Sequence, residues 1–145
     1  MAESPFAPIH EAALVRHGEA ALEARLPRPR PPAELRTMPD DRYLSTMCLR
    51  IFRAGLRHGL VDAKWPAFEE VFTGFAPAAV AAMPDEAIEA LLEDRRLIRH
   101  LGKLRAVRAN ARAMLEIAGS HGSFGGWIAD WPVERIVDLW AEIAR

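Results

Sequence analysis

Between positions 101 and 117 the apolar residues Leu101, Leu104, Val107, Ala111, Met114 and Ile117 recur at steps of three and four, which returns each to one face of an α-helix. A stripe of that length stays in water only when another apolar surface covers it, so the chain has to build a packed helical core around this segment. The glycine-rich GSHGSFGG that follows is a helix stop. No run of four or more alternating apolar and polar β-formers competes anywhere in the 145 residues. The expected fold class is therefore all-α, a helical bundle. A hydrophobic content of 50% is enough for one sizeable core at this length.

The other segments fit that class. Residues 6–26 read as one or two short helices, with Phe6, Ile9, Ala13 and Leu14 on a stripe and Gly18 interrupting before EAALEARL. The prolines of PRPRPP at 27–32 remove backbone donors and favour extended chain, so this run reads as a stiff connector. From Asp40 to about Arg57, the residues Leu44, Met47, Cys48, Ile51 and Phe52 recur at helical steps until Gly55 and Gly59 loosen the pattern. VDAKWPAFEEVFTGF reads as a turn and a helix, broken at Gly74 and Pro77. In MPDEAIEALLED, Pro84 fits the first helical position, while Asp85 and Glu86 complement the positive helix end. Phe124, Trp127 and Ile128 mark a short helix, and Pro132 opens a last one carrying Ile136, Leu139, Trp140 and Ile143. The expected organisation is a single domain over 1–145, with N-terminal helices at 6–26, the connector at 27–32 and the main helical core at 40–145.

Cys48, the one cysteine, forms no internal disulfide and supplies at most one of the four ligands of a structural zinc, so neither a metal site nor a cofactor is expected. The N-terminus lacks a basic segment leading into an apolar run, and no stretch of ~20 apolar residues follows. The chain therefore reads as neither exported nor membrane-spanning, and its expected location is the cytoplasm. A net charge of -1 points to no partner when averaged, but the charge is unevenly spread. Arg95, Arg96, Arg99, Lys103, Arg105, Arg108 and Arg112 fall between positions 95 and 112 with no acidic residue among them. Such a field binds phosphates through charge-assisted hydrogen bonds and counterion release. It equally suits a solvated helix face whose charges balance the acidic MPDEAIEALLED segment. Composition leaves both readings open.

FEEVFTGFAPAAVAAMPDEAIEALLEDRRLIRHLGKLRAVRANARAMLEI resembles the central block of the bacterial 3-methyladenine DNA glycosylase I family. That block runs F-x-x-F-D-P-x-x-V-A, D-x-x-x-L-L, G-I-I-R-x-x-x-K-I-x-A and N-A-R-A. Phe75, Pro77, Val80, Ala81 and Leu91 match its first half; Ile98, Arg99, Lys103, Ala106, Asn110, Ala111, Arg112 and Ala113 match its second. Upstream, DDRYLSTMCLRIFRAGLRHG is similar to the family helix ending in Q-A-G-L-S-W, with Ala54, Gly55 and Leu56 aligned. The resemblance covers roughly residues 40–130. It implies an enzyme that flips a damaged adenine out of duplex DNA and hydrolyses its glycosidic bond. It also implies that Gly55 and Leu56 form the tip entering the base stack, and that Arg99 and Lys103 lie on the DNA side. Arg105 and Arg108 extend the basic face expected to meet DNA.

The chain departs from the family where catalysis would occur. The family's base-contacting glutamate falls at Arg50, its pocket glutamine at Arg53 and its tryptophan at His58. An arginine there repels a cationic base, since like charges ~4 Å apart cost about 1 kcal/mol in water and more when desolvated. The catalytic residues are thus unknown. The N-terminal cysteine, histidine and aromatic residues of the family's zinc and stacking site are also absent, leaving only His10 and His17. The family continues into a helix-hairpin-helix segment, whereas this sequence stops at Ala144 and Arg145, so the expectation is a fragment or a reduced relative. Trp140 and Ile143 would then be uncovered, which favours a homodimer or a partner. The leading expectation is a hydrolase of the 3-methyladenine type acting on double-stranded DNA in base excision repair. The alternatives are a catalytically inactive relative that binds DNA or a protein, and a helical interaction module without a nucleic-acid role.

Overall fold

The structure, a computed structural model, describes residues 5–144. Its contacts gather into two compact units that divide after Arg30, within the proline run. In the first, α1 (Ala7–His17) and α2 (Glu19–Glu23) meet at Gly18, whose φ of 75° ends one helix before the next begins. Neither helix buries a residue, so the Phe6–Ile9 stripe is no core face: Phe6 is 70% and Ile9 64% exposed.

The second unit carries the hydrophobic core. It comprises α3 (Pro32–Thr37), α4 (Asp40–Arg53), α5 (His58–Val71), α6 (Pro77–Ala81), α7 (Asp85–Ala90), α8 (Leu101–His121), α9 (Phe124–Asp130) and α10 (Ile136–Ile143). No strand occurs among the described residues, and no helix there is long and apolar enough to cross a membrane. The apolar stripe of α8 lies where periodicity put it: Leu104, Val107, Ala111 and Met114 are buried. They share a core with Leu44, Cys48 and Phe52 of α4 and with Val61 and Phe68 of α5. Phe72, Phe75, Val80 and Ile88 close it over α6 and α7.

Local signals place most boundaries within a residue or two. Pro84 is the N-cap of α7 rather than its first helical residue, with Asp85 and Glu86 in the first turn. Three features depart further. α3 starts on Pro32, the end of the expected connector, because a proline at the first helical position gives up a donor that has no helical partner. α5 begins at His58 and runs through Pro66, where a turn was expected, since Val61 and Phe68 anchor it to the core on both sides. α8 continues through Gly119 and stops only at Gly122, with φ 84°.

Side chains remote in sequence complete the helix ends. Asp40 accepts hydrogen bonds from the backbone N–H of Phe124 and of Gly125, while Ser123 accepts one from Gly126 N–H at 2.9 Å. Together they satisfy the start of α9, an end where negative charge is favoured. α10 is covered on one side only: Leu139 is buried, but Val137 is 67% and Trp140 64% exposed.

Candidate functional site

α4 ends in a turn built for display. Ala54 has φ -60° and ψ 119°, Gly55 has φ 76°, and Leu56 N–H donates to Arg53 C=O at 3.1 Å. These are the dihedrals of a type II turn, which needs a positive φ at its third residue and therefore glycine. A side chain at position 55 would meet open space, so backbone conformation rather than crowding selects the glycine. Leu56 leaves the turn 39% exposed, which separates it from the core leucines. Lys103 of α8 holds the turn from behind: its Nζ donates to Phe52 C=O at 3.2 Å and to Ala54 C=O at 2.7 Å, over the Phe52 ring. A cation on the last carbonyls of a helix satisfies orphan acceptors at the negative end of the dipole.

The turn lines an open groove of about 470 Å³ with Arg50, Arg53, Ala54, Gly55, Leu56, Arg57 and His58. Arg50 and Arg53 stand one turn apart on α4, so both reach the same side. They differ in state. Arg53 is 21% exposed and bound to Asp62 at 2.7 Å, whereas Arg50 is exposed and has no ion pair among the described residues. Sequence reasoning placed Arg50, Arg53, Gly55, Leu56 and His58 here from alignment with a family pattern; Arg57, which completes the basic lining, carried no such signal.

The basic residues between 95 and 112 do not all stand free. Arg105 bridges to Glu89 at 2.7 Å, Arg108 bonds Asp85 and the Met83 carbonyl, and Arg112 donates to Ala81 C=O at 3.2 Å. These three guanidiniums tie α8 to the ends of α6 and α7, and the α7 carboxylates balance the charges of Arg105 and Arg108. Asp85 is accordingly held below the usual carboxylate range, first by its hydrogen bond from Arg108 and then by that charge. Arg96 takes Asp94 and Glu70. Arg99 is exposed and unpaired among the described residues, four positions ahead of Lys103. At the start of α8 one free N–H is already used, because His100 Nδ1 accepts from Lys103 N at 3.2 Å.

One carboxylate beside the aromatic core had no sequence signal. Glu69 accepts from the two terminal Arg42 nitrogens, Nη1 and Nη2, at 3.1 and 2.9 Å and from Ser45 Oγ, which in turn accepts from Trp65 Nε1 at 3.1 Å. Trp65 stacks on Phe68 and Phe75 at 4.9 and 5.3 Å. Burial pushes the Glu69 carboxyl up, but Arg42 and Ser45 outweigh it and hold it below its usual range. Its lone pairs are committed to structure. The residues do not fit the family's zinc either. No three His, Cys, Asp or Glu converge among the described residues, and burial pushes the Cys48 thiol up to about 12.

The sequence profile described as methyladenine glycosylase matches residues 35–144. The DNA-3-methyladenine glycosylase 1 of Escherichia coli (strain K12) is 41% identical over 79 residues, covering 54% of this chain and 42% of that protein. The DNA-3-methyladenine glycosylase of Haemophilus influenzae is 34% identical over 89 residues, 61% of this chain and 48% of its own length. Among solved structures, a 3-methyladenine DNA glycosylase I in complex with 3-methyladenine superposes with a TM-score of 0.59 at 30% identity, over 61% of this chain and 47% of that one. The Staphylococcus aureus enzyme, solved for its recognition of 3-methyladenine, gives 0.60 at 29% over 62% and 48%. The chain thus spans about half the length of the relatives it matches. With the profile covering the whole helical core from α4 to α10, the chain belongs to the methyladenine glycosylase family.

Proposed function

We propose that this chain acts on double-stranded DNA in the cytoplasm as a base-excision-repair glycosylase of the 3-methyladenine type, hydrolysing the N-glycosidic bond of an alkylated purine. The observation that carries the reading is the display of Leu56 on a rigid type II turn beside an accessible groove, with Lys103 bracing the turn. A base that leaves the stack needs a pocket to enter and a side chain to fill the gap behind it. In the reaction, water adds to the sugar C1′ and loses a proton, while the C1′–N bond breaks and its electron pair leaves with the base. An alkylated purine that carries a positive charge leaves as a neutral molecule, so it needs little acid assistance.

Arg50 favours a second reading. A cation on the groove wall opposes a cationic base, and the groove lining contains no carboxylate to offset it. That arrangement suits a relative that binds DNA without turnover. Base release from alkylated duplex separates the two: release at neutral pH supports the glycosylase, and salt-dependent duplex binding without release supports the non-catalytic relative. Loss of both would remove DNA from the account. The exposed Val137 and Trp140 make self-association through α10 the assembly to measure alongside, with a homodimer as the expected form.

A further inference from the structure

We propose that the groove at the α4–α5 turn is a phosphate site, in which Arg50, Arg57 and His58 take a phosphate group of a nucleic-acid strand. The first support is how the second unit disposes of its arginines. Arg36, Arg42, Arg96, Arg105, Arg108 and Arg135 each hold a carboxylate. Arg95, Arg99 and Arg112 also lack a carboxylate partner among the described residues but stand outside the groove, whereas Arg50 and Arg57, equally without one, line it together. Both are exposed, so nothing in the packing of the core requires a guanidinium at either position.

The second support is the wall between them. Arg53 lines the same groove but is held by Asp62 through two contacts of 2.7 and 2.8 Å, which fixes the α4 face from which Arg50 projects. Three arginines and Asp62 leave an excess of two positive charges before His58 is counted. A terminal phosphate carries about -1.5 to -2 at pH 7, so the charge of the groove matches it closely, and a guanidinium fork suits its oxygens.

The third support is where the groove sits. Arg57 is the N-cap of the 14-residue α5 and makes no side-chain cap, so the opening N–H groups of that helix add positive potential on the side of His58. The Gly55 turn leaves this end of α4 and α5 clear, and the groove opens to solvent as a phosphate on a strand requires.

The same groove is the pocket that the glycosylase reading gives to a flipped base, so a phosphate held in it favours the non-catalytic reading, and the site rests on the duplex-DNA reading for the source of the phosphate. The test uses the full chain, with a short gapped duplex carrying either a 5′-phosphate or a 5′-hydroxyl at the gap, and inorganic phosphate alone. A terminal-phosphate site binds the phosphorylated gap about tenfold more tightly, roughly 1.4 kcal/mol, and inorganic phosphate competes. Arg50→Glu and, separately, Arg57→Gln then remove that preference without lowering the melting temperature. If both gaps bind equally and both variants weaken them equally, the phosphate held is an internal diester and the site stands. If inorganic phosphate binds in an Arg50-dependent way but no duplex does, the site again stands and the DNA reading falls. Two folded variants that change the affinity for neither duplex nor inorganic phosphate overturn the proposal, and leave the DNA reading to its own assay.

Discussion

Replacing Lys103 with methionine separates a brace from a phosphate contact. Methionine keeps most of the stem against Phe52 and removes only the ammonium, so the change isolates the bonds to Phe52 and Ala54 carbonyls. A hydrogen bond to a charged group contributes about 1.5–3 kcal/mol net, and a cation at a helix C-terminus a further ~0.3–1 kcal/mol. Ala54 is exposed, so its carbonyl rehydrates when the ammonium is gone and part of the loss is recovered. The net cost works out at about 2 kcal/mol. At an unfolding entropy of roughly 2.1 cal/mol/K per residue, a unit of about 115 residues loses ~8 °C in Tm. Thermal unfolding followed by circular dichroism reads this directly, with duplex affinity measured against salt in parallel. A Lys103 that served as a free phosphate contact would leave Tm in place and lower the salt slope by about one unit instead. An unchanged Tm for Lys103→Met with that lowered slope refutes the bracing argument.

Four further outcomes follow from the packing and the charges. A Cβ at Gly125 would stand 2.4 Å from the Leu35 carbonyl oxygen and 3.0 Å from the Tyr43 ring, so Gly125→Ala should destabilise by ~3 kcal/mol in a denaturant melt. Gly119→Ala, in α8 with nothing within 4 Å, should stabilise by up to ~1 kcal/mol in the same melt. Leu56→Ala should weaken binding to a duplex containing an abasic analogue while costing under ~1 kcal/mol of stability; a loss of ~2–5 kcal/mol would identify a core leucine. Glu69, Asp85, Asp94 and Asp130 are all held below the usual carboxylate range, so the stability they contribute is present above about pH 4 and lost as pH falls through their lower folded values. Glu69→Gln should lower stability at neutral pH and flatten the acid limb, which urea melts from pH 7 to 3 would register.

Much of the fold was legible because helices announce themselves locally. The α8 stripe and the acidic first turn of α7 each depend on residues within a few positions of one another. α3 was missed because six residues behind two prolines carry too little periodicity to stand out, and its order comes from Tyr43 donating to Leu35 C=O and from Arg36 on Asp130. The groove was legible only through the family pattern, and in part: Arg50, Arg53 and His58 were placed, and Arg57 was not.

By itself the sequence determined an all-α chain, its principal core stripe, its family and an arginine where that family's pattern has a glutamate, since periodicity, turn chemistry and motif order are properties of the chain read in line. It left the seven basic residues from Arg95 to Arg112 undecided between a phosphate field and a balanced face. Tertiary structure divided them, turning Arg105, Arg108 and Arg112 toward α6 and α7, Lys103 onto the end of α4, and leaving Arg99 in solvent. The physical reason is the range of the interactions. A helical stripe is set by neighbours three and four residues away, whereas the partner of a long, flexible cation is whichever carboxylate or carbonyl the folded chain brings within about 3 Å.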